Sequence, residues 1–293
     1  MKRDAFSACH PAVNFIFFLG AIGFGVVIQH PVYLAAACAA SGAYFLLLTG
    51  GKGIKMILGM LPLFVVLSAV NPLFNHLGER VLFHVFGKPY TWEALCYGMA
   101  VAAMFVCMML WFGCYSAVMT GDKFTSLFGN LIPSLSLLLV MVLRMVPSLL
   151  RKARQISGAR RSVGRGLGEQ GNMKEKISGG MTVLGALTDW ALEGSIVTAD
   201  SMRARGYGTA KRGSFMIYRM TGRDWALLAV EAVLIAVVIA FAAAGSFSAA
   251  YTPAIEIAPL SVPGLAAYCA YLLIPTILQI KEVLQWHILR SKI

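Results

Sequence analysis

Charge is what this sequence most lacks. Only 13% of its 293 residues are Asp, Glu, Lys or Arg, about half the roughly 25% of an ordinary globular domain. No charged residue stands between Asp4 and Lys52, and further uncharged runs cover 56–78, 94–121, 232–255 and 257–280. Runs of that length exclude a water-soluble fold. A bilayer core takes roughly 20 apolar residues as a helix, so each run supplies a span or more. Metal and thiol chemistry are also missing. The six cysteines, Cys9, Cys38, Cys96, Cys107, Cys114 and Cys269, form no CxxC pair and lie mostly within the apolar runs. That pattern excludes a disulfide framework and a zinc site. Cys107 and Cys114 share a helix face as small apolar side chains. The five histidines show no HExxH spacing, and no GxxxxGK[ST] loop is present. The "GGKG" at 50–53 lacks both the spacing and the following Ser or Thr of a phosphate cradle. No cofactor or metal is expected, and without a nucleophile–base pairing a membrane enzyme ranks last.

What is present is hydrophobic: 58% of the chain, with a mean hydropathy of +0.73. The first uncharged run is too long for one helix and is interrupted by Gln29-His30-Pro31. Helices are therefore predicted over 12–28 and 32–49, joined by a tight turn. "GGKGIK" (50–55) reads as a loop, 56–71 as a third span ending at Asn71-Pro72, and 72–92 as a loop rich in Gly, Pro, His and aromatic residues. Later spans fall at 94–119, 225–245 and 261–280. No small-residue cleavage pattern follows a short apolar core at the N-terminus, so the first segment is expected to be retained. The fold class is all-α: a polytopic helical membrane protein of about six transmembrane helices. It divides into four spans in 1–119, an internal polar module in 120–224, and two spans with a tail in 225–293.

The chain is basic, with 25 Lys and Arg against 13 Asp and Glu and a net charge of +12. With six spans and an inside N-terminus, 23 of the 25 basic residues fall on the inner side, leaving only Arg80 and Lys88 outside. Topology and anionic lipid headgroups therefore account for the charge, and nucleic-acid binding is discounted. Both termini and the module 120–224 are expected in the cytoplasm. The apolar stretch 131–150, interrupted by Arg144 and two prolines, would send Arg151 to Arg223 outside if it spanned. It is therefore expected to lie on the cytoplasmic face or dip into it.

The module opens with "GDKFTSLFGNLIPSL", continues through "RKARQISGARRSVGRG" and a Gly-rich hinge (164–180), and closes with a helix over about 181–205. At 100° per residue, Asp189, Glu193 and Asp200 share one face of that last helix. Arg203 joins them, three residues after Asp200, where an intrahelical ion pair is expected. Arg205 points the other way, in line with Val183, Leu187, Gly194 and Thr198. A cation at a helix C-terminus followed by glycine also serves its own helix through the macrodipole and the cap. The small neighbours Ala204 and Gly206 favour docking: they let another surface approach the backbone while the rigid guanidinium fork reaches a carboxylate or carbonyls.

These elements resemble a known family. "VTADSMRARGYG" (197–208), "HPAVNF" before the first span, "NPLFNH" in the outer loop, "GDKF" after the fourth span and "LRMVPSLL" before the basic stretch look like those of energy-coupling factor (ECF) transporter T components. These are the membrane scaffolds of a class of ABC importers, and the resemblance covers nearly the whole chain. It implies two cytoplasmic coupling helices, each ending in Ala-Arg-Gly and docking one of two ATP-hydrolysing subunits, and a separate membrane-embedded S component that binds a vitamin or metal ion. It implies a prokaryotic cell membrane as the location. By resemblance, Ala204, Arg205 and Gly206 are the second motif. Counted from Arg144 to Pro147, the family spacing places the first at Ser162-Val163-Gly164, where valine stands for arginine. Ala159, Arg160 and Arg161, about a turn earlier, and Arg165, just after, are the other candidates for that contact. Valine there argues against equal docking to two identical ATPases and for an asymmetric pair.

A self-sufficient secondary transporter or channel is the competing reading. Such proteins keep ionisable groups in their spans, and Glu231, about two turns into the fifth span, is the main one here. A lone carboxylate near an interface also serves helix packing or snorkels to the headgroups. No half-to-half repeat with paired broken helices supports the transporter reading.

Overall fold

The computed structural model describes residues 5–75, 78, 80–85, 88–129, 133–164, 173–209, 218–251 and 255–290. Of the described residues, 81% are helical. Helices α1 (Pro11–Val27) and α2 (Pro31–Thr49) both start on a His-Pro pair. The Nδ1 of His10 accepts from the Ala12 N–H at 3.2 Å, and that of His30 from the Val32 N–H at 3.3 Å. Proline fills the first helical position, where its missing N–H leaves no bond unmade.

Helix α3 (Gly51–Phe74) corrects the expected loop at 50–55. Gly50 alone turns the chain, at φ 65°, and "GKGIK" is already helical. A single left-handed glycine is enough to redirect the chain, and the residues after it gain helical hydrogen bonds instead of exposing peptide groups near a bilayer. Asn71-Pro72, expected to end this span, lies within its last turn. The expected loop 72–92 contains an antiparallel hairpin, β1 (Val81–Val85) and β2 (Lys88–Thr91), with a register shift between Val81 and Phe83. Valine, phenylalanine, tyrosine and threonine in alternation favour the pleated form. Helix α4 (Trp92–Val118) follows at once.

The chain forms two compact units: Met1–Thr120 together with Tyr218–Ile293, and Gly121–Ile217. The first unit is completed by α8 (Gly222–Ala243), the two-residue strands β3 (Ala249–Ala250) and β4 (Glu256–Ile257), and α9 (Val262–Arg290), which runs past the expected end of its span at 280. Its core is aromatic. Phe6, Phe17, Phe18, Tyr33, Tyr44, Trp111, Tyr268 and Tyr271 are all fully buried. Phe17 lies edge-on to Trp111 at 5.6 Å and to Phe6 at 5.2 Å, separations at which aromatic pairs add to area burial. Where helices approach most closely, the residue is glycine: a Cβ on Gly98 of α4 would stand 2.7 Å from the Ser68 carbonyl oxygen of α3. Tyr218 belongs to this unit, its ring 6.5 Å from His10. The Thr221–Asp224 capping box starts α8, and Asp224 also accepts from the His10 N–H at 3.1 Å.

Five helices, α2, α3, α4, α8 and α9, are long and apolar enough to cross a bilayer, and α1 is a shorter apolar helix. The protein is an all-α polytopic membrane protein. Only 11% of the apolar windows of α3 and α8 is buried within the protein, so both present apolar surface nearly all round, as a lipid-facing helix does.

The second unit consists of α5 (Gly121–Gly129), α6 (Pro133–Ser162) and α7 (Met173–Ala204). The apolar stretch from 133 and the basic stretch to 162 are one continuous helix with Pro147 inside it. Helix α7 begins near 173 rather than 181, so much of the expected hinge 164–180 is helical. The glycines at 179 and 180 cost about 1 kcal/mol each there, which burial of residues such as Val183 helps to offset.

Candidate functional site

The candidate site is built from the ends of α6 and α7, which pack against each other within the second unit. Residues Met141, Met145, Leu149, Lys152, Ala153, Ile156 and Arg160 of α6 are partly shielded at four-, three- and one-residue steps, which marks one face. On α7 the shielded positions are Val183, Leu187, Trp190, Ala191 and Gly194. Lys152 Nζ sits 5.8 Å from the centroid of the Trp190 ring across this interface, within cation–π range.

The faces of α7 therefore sort themselves. Asp189, Glu193 and Asp200 are exposed together on one side. Val183, Leu187 and Gly194, aligned with Arg205 in the sequence, lie on the face turned toward α6, whereas Thr198 and Arg205 further along the same line are exposed. Arg205 thus stands at the uncovered end of a packing stripe. A third side carries exposed Met173, Ile177, Met181, Leu184, Leu192 and Ile196.

The close of α7 is a Schellman motif. The Gly206 N–H donates to the Arg203 carbonyl at 2.9 Å and the Tyr207 N–H to the Met202 carbonyl at 3.0 Å. Gly206 takes φ 78°, a left-handed conformation in which an L side chain is disfavoured. Thr209 then locks the turn, its Oγ1 donating to the Gly206 carbonyl at 2.7 Å. Arg205 occupies the C-cap, exposed between exposed Ala204 and half-buried Gly206. Tyr207 and Thr209 are participants that sequence reasoning missed; the glycines at 206 and 208 were their only signal.

The close of α6 shares the left-handed glycine and its bond. Gly164 takes φ 73°, and its N–H donates to the Arg161 carbonyl at 3.1 Å. Superposing the caps residue by residue aligns Arg161 with Arg203, Ser162 with Ala204, Val163 with Arg205 and Gly164 with Gly206. Val163 is 77% exposed. Of the other candidates, Ala159 and Arg161 are exposed, while Arg160 lies on the shielded face and has an interaction partner. Arg165 lies outside the described residues.

No ion pair joins Asp200 and Arg203 among the described residues; both are exposed, where water competes for each charge and three-residue spacing adds little. Of the two structural alternatives for Glu231, full burial fits helix packing rather than snorkelling, and neither carboxylate oxygen has a hydrogen-bond partner among the described residues. No group of three or more His, Cys, Asp or Glu side chains placed to hold a metal occurs among the described residues. No protein-family model matches the chain, and no curated protein matches it.

Proposed function

We propose that the protein is the transmembrane scaffold of an ECF-type ABC importer in a prokaryotic cell membrane, with both termini and the unit Gly121–Ile217 on the cytoplasmic side. It hydrolyses nothing itself. Two partner ATPases grip the ends of α6 and α7, and their closure is passed through these helices to a membrane-embedded S component that carries a vitamin or metal ion. One observation carries the reading: α6 and α7 end in the same left-handed glycine cap, and at the second an exposed arginine projects between alanine and glycine. A capped helix end is rigid, so a guanidinium fixed there can meet a carboxylate bidentately with little further ordering. At the first end Val163 takes the arginine's place, which suits two non-identical ATPases.

Arg205→Glu should abolish ATP-driven uptake and co-purification of the ATPases while leaving membrane insertion intact. Arg203→Glu, on the opposite face, should retain both. Undiminished co-purification with Arg205→Glu rejects the reading. A second reading, a self-sufficient transporter, draws on the buried carboxylate of Glu231. Solute flux in liposomes holding this chain alone, without ATP, would establish it.

A further inference from the structure

Three helices of the first unit, α1, α8 and α9, carry buried polar groups that the proposed function does not use. The His10 N–H bond to Asp224 aligns the starts of α1 and α8, which are in contact. Asn14 then stands about 6 Å along α1 and Glu231 about 10 Å along α8 at 1.5 Å per residue, less than a turn apart in depth. Helix α9 runs antiparallel to α1: Gln279 accepts from the Ala5 N–H at 2.9 Å, and the Tyr271 hydroxyl donates to the Phe17 carbonyl at 2.8 Å. Helices α8 and α9 are also in contact. The Tyr271 hydroxyl fits a notch on α1 that only glycine leaves open, since a Cβ on Gly20 would collide with it.

Asn14 and Glu231 are both fully buried, and all four of their side-chain N and O atoms lack hydrogen-bond partners among the described residues. In a membrane interior an unpaired carboxylate and an unbonded amide are each costly, and buried charges are neutralised by a proton or by a cation. The local acceptor set favours a cation: two carboxylate oxygens and one amide oxygen are hard ligands. Asn14 offers its Oδ1 as a further, neutral ligand to an ion held by the Glu231 carboxylate. One carboxylate balances one positive charge, whereas a divalent ion would leave a net charge in a low-dielectric site.

We infer that Asn14 and Glu231 hold a monovalent cation of the sodium or potassium class between α1, α8 and α9. The inference is independent of the importer reading, because it concerns the folded membrane unit alone. The test is thermal unfolding of the purified full chain in detergent, titrated with NaCl or KCl against choline chloride at constant ionic strength. One of the two ions should raise Tm by roughly 3–6 °C for each tenfold excess over its dissociation constant. Glu231→Gln and Asn14→Leu should flatten the titration. Equal Tm for the wild-type chain in sodium, potassium and choline overturns the inference even if neither variant folds. A Tm that ignores the cations but rises on acidification, with Glu231→Gln matching the acid form at every pH, assigns the site to a proton instead and equally overturns it.

Discussion

Replacing Gly206 by alanine separates the geometry of the α7 end from its chemistry. The variant keeps Arg205 and all charges but asks an L residue to hold φ 78°. That conformation costs roughly 1–2 kcal/mol for a residue with a Cβ. The new methyl would also stand 3.2 Å from Thr209 Oγ1, tight enough that a hydroxyl bonded to the Gly206 carbonyl at 2.7 Å must shift. The cap amides of Arg205, Gly206 and Tyr207 should then exchange about 5–30 times faster in hydrogen-exchange mass spectrometry. Gly164→Ala supplies the internal comparison: φ is 73°, but nothing lies within 4 Å of an added Cβ. Its effect should fall at the lower end of the range. If docking requires the rigid cap, ATPase affinity should fall in parallel with the lost protection at 206. Unchanged protection at both glycines would refute the cap energetics, and lost protection with undiminished docking would refute the link from cap to partner.

Two further changes probe the membrane unit. Gly98→Ala should lower Tm through overpacking by about 1–3 kcal/mol, because its Cβ meets the Ser68 backbone oxygen at 2.7 Å and backbone cannot move aside as a side chain does. Gly59→Ala, with nothing within 4 Å, should leave Tm equal or raise it, and equal loss in both would contradict the close approach of α3 and α4. Asp224→Ala removes the acceptor for the Thr221 N–H and Oγ1 and for the His10 N–H, and should destabilise by about 2–4 kcal/mol in chemical denaturation. A loss under about 0.5 kcal/mol would show that water replaces all three bonds.

The legibility of each element followed the range of its causes. The starts of α1 and α2 were readable at His10-Pro11 and His30-Pro31 because cap and helix are sequence neighbours. The cap at Gly206 was readable for the same reason. The hairpin at 81–91 was not, since it sits among Gly, Pro and aromatic residues that equally suit a loop, and pairing decides between them. The Asp200–Arg203 pair followed the spacing rule, but on an exposed helix that rule describes a weak preference that solvent overrides.

Sequence by itself determined the membrane class, because no fold can hide uncharged runs of such length in water. It also determined where α7 ends, because a left-handed turn calls for glycine whatever surrounds it. Tertiary structure decided which arginine is shielded: Arg160 and Arg161 are adjacent, yet Arg160 is partly shielded and Arg161 exposed. It likewise decided that Asn14, Glu231 and Tyr271 are all buried. They lie on helices at opposite ends of the chain, and burial is set by residues far apart in sequence that local periodicity cannot pair.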